Sequence, residues 1–465
     1  MSELIISVAG MRGVVGKTLT LQTVLPYVAA FSHCSPGGSF VITRDSRASG
    51  AFFADAIHAT LNALGRSTID GAIAATPTTG FLVRQLNAVG GIQITASHNP
   101  SEYNGIKLFS LHGRILSNNE GKKVVEKYNE YAESSPSMPI HWNRYDDIGV
   151  RTPFLNLTSG HLAAVTHTID YDAVREKKYK VLLDANHGAG GLLGEWLLDG
   201  LDCQVTVLGQ QPSGLFAHQP EPTPDNLVSV CEQVKRLNVD VAFCQDPDAD
   251  RLAIIDGDGR YIGEEKTVAL CVEHLLNTAT SSQPHPCKRT LGPIVINCAT
   301  SRMSEDIAKK YDVPVYRSAV GEANVVDLML AKKAMFGGEG NGGPIDPKVG
   351  YVRDSFVGMA HILDAMARTE KTIAQLADML PQYSLAKRKT TVRSEDIPKY
   401  LDRVAEAYKQ FPTDRLDGVR IDCGDAWVLL RGSNTEPIIR FFAEAPTDER
   451  ANQLCDEIEA LLAKP

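Results

Sequence analysis

Four stretches of this chain gather hydroxyls, carboxylates, guanidiniums and glycines closely enough to suggest a reaction. The first is Thr95-Ala96-Ser97-His98-Asn99-Pro100, followed by Tyr103-Asn104-Gly105-Ile106-Lys107. A serine leaving a strand into a Pro-bent loop can present a nucleophile, and a turn or helix cap uses the same Ser and Asn. Alone, His98 reads as structural and Lys107 as a solvated charge. The second stretch is Asp246-Pro247-Asp248-Ala249-Asp250-Arg251. Carboxylates at alternate positions of a stiff loop repel by about 4 kcal/mol per pair, at roughly 4 Å and an effective dielectric of about 20, unless a cation sits among them. All-oxygen donors select a hard cation such as Mg2+. An EF-hand is excluded, because its glycine position holds Arg251 and its closing glutamate position holds Gly257. A solvated acidic turn is the plain alternative.

The third stretch is Gly337-Gly338-Glu339-Gly340-Asn341-Gly342-Gly343. Glycines let the backbone approach a ligand closely, and Glu339 and Asn341 suit vicinal hydroxyls. A flexible loop has the same composition. The fourth is Arg431-Gly432-Ser433-Asn434-Thr435-Glu436-Pro437-Ile438-Ile439-Arg440. Its guanidiniums and hydroxyls make a cradle for a dianionic phosphate, or a surface turn with incidental arginines. A fifth stretch, Gly10-Met11-Arg12-Gly13-Val14-Val15-Gly16-Lys17-Thr18, imitates a P-loop. That loop needs four residues between its first Gly and Gly-Lys-Thr, whereas Gly10 and Gly16 enclose five. Arg12 between two glycines keeps an anion-holding role.

These segments need a scaffold. Apolar runs rich in β-branched residues alternate with helical patterns, which predicts α/β units. Phe40–Asp45, Val181–Asn186 and Ile294–Ala299 are three similar strands running into polar turns. Each is followed by a second strand that ends in a polar loop: 91–94 before the serine loop, 239–244 before the acidic loop and 334–336 before the glycine loop. Ligands gather beyond the carboxyl ends of such strands, so three echoes would aim three loops at one site. Asp256-Gly257-Asp258-Gly259 reads as a hairpin turn between strands 252–255 and 260–262. The C-terminal part differs. Strands at 418–422, 426–430 and 438–444 and a helix from Asp448 predict a small α+β domain. Ser/Pro-rich stretches at 134–139 and 280–286 read as linkers, the second alternatively as a surface loop within the third unit.

Composition bounds the partners. The 465 residues carry 47 Lys+Arg against 56 Asp+Glu, a formal net charge of −9. A phosphate-backbone binder needs a basic surface, so nucleic acid is not expected as a partner. No run approaches the roughly 18–20 apolar residues of a membrane span, and the apolar start lacks a preceding basic region. A cytoplasmic protein is expected. The 9 cysteines, with Cys203, Cys231, Cys244, Cys271 and Cys298 in or near apolar runs, read as buried free thiols.

Taken in order, the four motifs resemble those of the α-D-phosphohexomutases: phosphoglucomutases, phosphomannomutases and phosphoglucosamine mutases. The resemblance runs from about Gly10 to Arg440. It implies three related α/β domains with mixed sheets and a smaller C-terminal α+β domain around a central cleft, here expected at 1–152, 153–256, 257–370 and 371–465. It implies that Ser97 carries a phosphoryl group, and that Asp246, Asp248 and Asp250 with a Ser97 phosphate oxygen hold Mg2+. Glu339 and Asn341 would read sugar hydroxyls, and Arg431, Ser433, Asn434, Thr435 and Arg440 would clamp the distal phosphate. Arg12 and Arg251 would offset phosphate repulsion. Lys107, its pKa lowered by burial or cationic neighbours, would manage the proton, with His98 as the alternative. The reaction implied interconverts hexose 1- and 6-phosphates through a bound hexose 1,6-bisphosphate.

Three positions depart from the family pattern. Asn341 stands where many members have Ser, Gly343 where many have His, and Pro247 where many have Gly. The Asn-containing loop resembles archaeal-type phosphoglucosamine mutases, which favours glucosamine phosphate over glucose and mannose phosphates. A metal-dependent sugar phosphatase would use the same parts, and a sugar-phosphate sensor would need no Ser97 chemistry. A monomer or weak homo-oligomer is expected.

Overall fold

The computed structural model describes residues 4–8, 10–133, 140–432 and 438–463. Four sheets follow one another along the chain. The first three repeat one arrangement. In the first, Phe40–Arg44 lies between Thr68–Ile73 and Gly90–Ile94, parallel to both, and Tyr103–Ser110 returns antiparallel beside Gly90–Ile94. In the second, Lys180–Asp184 lies between Gln204–Leu208 and Val241–Gln245, with Leu252–Asp256 antiparallel beyond. In the third, Ile294–Asn297 lies between Val315–Ser318 and Phe336–Glu339, with Gly343–Ile345 antiparallel beyond. The threefold echo in the sequence is therefore a repeated topology. The first sheet is extended by Ile5–Ser7 and Gly10–Val14 on one edge and Arg151–Pro153 on the other. Gly10–Val14 runs antiparallel between its neighbours, which is not the parallel strand that a P-loop follows.

The central strands are buried along almost their whole length, the mark of sheets covered on both faces by helices. One apolar cluster includes Leu183, Phe243, Phe336 and Phe356, so the second and third units share a core. The predicted strand at 260–262 reduces to a single bridge between Ile255 and Tyr261. The turn itself is held by Asp256, whose carboxylate accepts the N–H groups of Asp258 and Arg260. All nine cysteines are free thiols, but only Cys203, Cys244, Cys271, Cys298 and Cys455 are buried; Cys231, Cys287 and Cys423 are half-buried and Cys34 is exposed.

The fourth sheet is antiparallel and has five strands, two more than the sequence predicts. The strands recognised are Val419–Asp422, Trp427–Gly432 and Ile438–Ala445, and the helix is Asp448–Leu462. Ser384–Thr391 pairs along its full length with Ile438–Ala445. It escaped notice because it is polar and no more than half-buried, with a weak apolar alternation. Trp427, fully buried, packs with Cys298 of the third unit, and its Nε1 donates to Glu444 Oε1 at 2.6 Å. Glu444 Oε1 also accepts from Arg302 N at 3.0 Å. These contacts fasten the C-terminal sheet to the third unit.

The predicted linker at 134–139 lies outside the described residues. The stretch 280–286 joins the helix Glu264–Thr280 to the strand Ile294–Asn297 inside the third unit, and it is not merely surface. His285 is buried there, and with His274 it donates through Nε2 to Asp364 Oδ2 at 3.1 and 3.0 Å. His285 Nδ1 accepts Cys287 N–H, so its Nε2 carries the proton given to Asp364. Burial alone would raise the Asp364 carboxyl, but the two histidine contacts outweigh it and hold Asp364 below its ordinary 3.8. A depressed carboxylate contributes stability that is complete above the unfolded value and lost as pH falls through the folded one. The urea midpoint is therefore expected to fall as pH drops below 3.8, with a shallower slope in Asp364→Asn. Asp364→Ala is expected to cost about 3 kcal/mol at neutral pH, because it leaves two buried imidazoles without their acceptor.

Candidate functional site

The repeated topology presents the same connection three times: the link from the third parallel strand to its antiparallel neighbour. In the first unit this link carries Ser97, in the second Asp246, Asp248 and Asp250, and in the third Gly340–Gly342 directly after Glu339.

The serine loop is held from within. Ser97 is buried and has φ +50°, a left-handed conformation that costs a non-glycine residue on the order of 1–3 kcal/mol and persists only where the surroundings impose it. The imposing group is Arg47, which no sequence motif marked. Its guanidinium donates to the carbonyls of Ser97 at 2.7 Å, Asn99 at 2.6 Å, Pro100 at 2.6 Å and Tyr103 at 3.0 Å. Its Nε donates to Asp45 Oδ2 at 3.0 Å, and Thr95 Oγ1 donates to the same oxygen at 2.7 Å while accepting from Ser97 N at 2.8 Å. Arg47→Met is expected to destabilise the protein by about 3–5 kcal/mol, measured by urea unfolding, since it removes the guanidinium that pairs with buried Asp45 and ties four loop carbonyls together. Reading this from sequence would have required knowing that the turn after Phe40–Arg44 folds beneath the serine loop.

Ser97 Oγ donates to Asp246 Oδ2 at 2.9 Å and lies 3.3 Å from His98 Nδ1. Burial and the nearby guanidiniums of Arg251 and Arg12 hold the His98 pKa well below its ordinary value, so its imidazole is neutral.

Asp246, Asp248 and Asp250 are fully buried, and one oxygen of each lies within 4.8 Å of the others. Oδ1 of Asp248 and Oδ1 of Asp250 have no hydrogen-bond partner. Two orphaned carboxylate oxygens inside an all-oxygen set, with a serine hydroxyl alongside, fit a hard divalent cation. The titration of the set agrees. Burial and the charges of Asp248 and Asp250 push Asp246 well above the carboxylate range, because three buried anions cannot coexist uncompensated. Burial opposes ionisation of Asp250 as well, but Arg353 and Lys107 outweigh it and hold Asp250 low. Arg251 approaches Asp246 with its Nε at 4.0 Å and Glu221 with its Nη1 at 3.6 Å.

Lys107 Nζ donates to Asp248 Oδ2 at 2.6 Å and Asp250 Oδ2 at 2.8 Å. Burial alone would lower its pKa, as expected from sequence, but the two carboxylates reverse the sign and hold it above its ordinary value. The lowered pKa is thus corrected: Lys107 is a firm ammonium here.

In the third unit, Glu339 Oε1 accepts from Asn297 Nδ2 at 2.7 Å and Gly321 N at 3.0 Å, while Oε2 accepts from Arg353 at 2.8 Å. Asn341 sits in the turn beyond it, half-buried, with Oδ1 lacking a hydrogen-bond partner. A cleft of about 360 Å3 brings Arg12 and Lys107 together with Glu339, Arg353, Arg431 and Arg440. Arg431 and Arg440, at the far end of the chain, therefore share a cleft with Lys107 and Arg353, which bond Asp248 and Asp250. Asp417 helps to fix this end, accepting from Arg431 Nε at 3.0 Å and from Val320 N of the third unit at 2.9 Å. Ser433, Asn434 and Thr435 lie outside the described residues.

Three α/β sheets of one topology are followed by a fourth, antiparallel sheet, and residues of the first, third and fourth units line one cleft. Four family profiles match in order: phosphoglucomutase/phosphomannomutase alpha/beta/alpha domain I at residues 4–135, domain II at 159–259, domain III at 264–383 and the C-terminal domain at 387–461. The chain belongs to this family, the phosphohexomutases, which are isomerases. It is 35% identical to a phosphoglucomutase/phosphomannomutase of Thermococcus kodakarensis, over 96% of this chain and 95% of that one. It is 31% identical to a phosphoglucosamine/phosphogalactosamine mutase of Sulfurisphaera tokodaii, over 97% and 98%. A phosphoglucomutase/phosphomannomutase family protein of Burkholderia thailandensis shares the fold at a TM-score of 0.82 and 22% identity, over 98% of both chains.

Proposed function

We propose that this protein is a Mg2+-dependent phosphohexomutase that interconverts hexose 1- and 6-phosphates through phospho-Ser97 and a bound hexose 1,6-bisphosphate. The observation that carries the reading is Ser97 Oγ at 2.9 Å from a fully buried aspartate triplet with orphaned oxygens, beside a cleft shared by Lys107, Arg12, Arg431 and Arg440. Asp246, Asp248 and Asp250 would hold Mg2+, which when bound neutralises charge on the transferring phosphoryl group.

In the first half-reaction a sugar hydroxyl attacks the phosphorus of phospho-Ser97, the Ser97 Oγ–P bond breaks, and the bisphosphate forms. After the intermediate turns over in the cleft, Ser97 Oγ attacks the other phosphate. His98 Nδ1, neutral and 3.3 Å from Oγ, accepts the serine proton. Lys107, an ammonium, protonates the departing sugar oxygen. In the first half-reaction neutral His98 takes the proton of the attacking sugar hydroxyl and returns it to Ser97 Oγ as the Oγ–P bond breaks, and in the second the proton taken from Ser97 passes from His98 back to Lys107 before the next turnover. Arg12 and Arg251 offset the repulsion between the two phosphoryl groups. Arg431 and Arg440, with Ser433, Asn434 and Thr435 of the same loop, clamp the phosphate that is not reacting. Glu339 and Asn341 read hydroxyls common to both sugar orientations.

We assign glucosamine phosphate as the favoured sugar, a reading supported by the Asn341-containing loop and by the name of the Sulfurisphaera tokodaii relative. The name of the Thermococcus kodakarensis relative favours the second reading, glucose and mannose phosphates. Ranking the 1-phosphates of glucosamine, N-acetylglucosamine, glucose and mannose by kcat/KM separates them. The glucosamine assignment fails if glucose or mannose 1-phosphate ranks first. Release of inorganic phosphate in place of the 6-phosphate would instead mark a phosphatase.

A further inference from the structure

Arg353 connects the two halves of the site, and no motif in the sequence pointed to it. Its Nη2 donates to Asp250 Oδ2 at 2.8 Å and its Nη1 to Glu339 Oε2 at 2.8 Å. Its Nε lies 3.3 Å from Glu322 Oε2, and its backbone N–H donates to Glu322 Oε1 at 3.2 Å. One guanidinium thus spans a carboxylate of the acidic loop, the carboxylate that ends Phe336–Glu339, and a third at the start of the helix Glu322–Lys332. The side chain is only 10% exposed and lines the cleft. A planar fork reaches several fixed carboxylates at once, which a lysine ammonium cannot do in the same geometry.

The slot that holds this side chain depends on Gly343. A Cβ on Gly343 would collide with the Arg353 side chain, meeting its Cδ and coming to 2.8 Å from Cγ and 3.1 Å from Cβ. Gly343 therefore leaves room for Arg353 to pass, and the two positions work as a pair.

We propose that Arg353, admitted by Gly343, is a positioning residue that couples the acidic loop to sugar recognition by fixing Asp250 and Glu339 relative to one another. This rests on the reading of Asp250 as facing Mg2+ and Glu339 as facing the sugar. Removing the guanidinium frees Glu339 Oε2 to leave its place, so sugar binding and turnover should both suffer. Removing it also takes a cation from beside Asp250, so affinity for the divalent ion should not fall with them.

The test compares wild type with Arg353→Met, Arg353→Lys and Gly343→Ala, the last changing no charge and adding one methyl. Each is measured for glucose and glucosamine 1-phosphate binding by calorimetry, for KM and kcat, for the half-saturating Mg2+ concentration and for Tm. Arg353→Met is expected to raise KM and lower kcat, each by roughly 10–100-fold, with half-saturating Mg2+ unchanged or lower. Gly343→Ala should move KM and kcat in the same direction, and Arg353→Lys should recover only part of the loss. A protein that binds and converts the sugars equally well as Arg353→Met or Gly343→Ala overturns the proposal alone, as does a fall in Tm with KM and kcat unmoved. Wild type that binds neither sugar phosphate overturns the proposal together with the functional reading beneath it.

Discussion

Replacing Ser97 by alanine is expected to lower interconversion of hexose 1- and 6-phosphates by at least about 10^3-fold while the protein stays folded. The deletion removes one oxygen from a buried residue, so the packing change is small. The backbone of the loop is held independently of that oxygen, by Arg47 on its carbonyls and by Thr95 on the Ser97 N–H. What disappears is the atom that stores the phosphoryl group. Intact-mass measurement is the direct check. Wild type exposed to a hexose 1,6-bisphosphate should gain the mass of one phosphoryl group, and Ser97→Ala should gain none. Wild type that stays bare under those conditions, or Ser97→Ala that turns over normally, would sink the assignment of Ser97.

The second large effect concerns the acidic loop. Asp248→Asn should abolish measurable turnover and also remove the response of the protein to Mg2+. Asp248 Oδ1 is buried without a partner, and Oδ2 is shared by Lys107 and Thr76, so the carboxylate stands between a cationic hub and the place a divalent ion would fill. An ion that binds the folded protein and not the unfolded chain stabilises it, by about 2.7 kcal/mol at one hundred times its dissociation constant. Wild-type Tm should therefore rise on titration with Mg2+, and the rise should vanish in Asp248→Asn. Chelation should silence wild type and Mg2+ should restore it. Full turnover in the presence of excess chelator would defeat the metal assignment.

Much of this was legible in the chain because the reaction needs particular residues close together in sequence. The alternate aspartates at 246, 248 and 250 share one rigid loop, so their spacing suggested a cation site against a solvated turn, and the fold buries all three together. The threefold echo was legible for a similar reason: buried parallel strands are short apolar runs with polar loops at their carboxyl ends, and that pattern survives without any sequence identity between the repeats. Reading failed where the causal contact is long-range. Ser384–Thr391 is polar and becomes a strand by pairing with Ile438–Ala445. The pKa of Lys107 was expected to fall because burial or cationic neighbours were foreseen and its carboxylate partners were not. Asp248 and Asp250, some 140 residues away in sequence, reverse the sign.

The sequence by itself determined the chemical inventory and its order along the chain, since the serine loop, carboxylate triplet, glycine turn and arginine-bearing segment are each local. Only the tertiary structure decided their charge states and their coupling. Arg47 beneath the serine loop, Arg353 between Asp250 and Glu339, and Asp417 between Val320 and Arg431 are single side chains in unremarkable sequence. Each matters because folding buries it against groups from distant segments, where Coulombic and hydrogen-bond energies are large and depend on distances that no local pattern encodes.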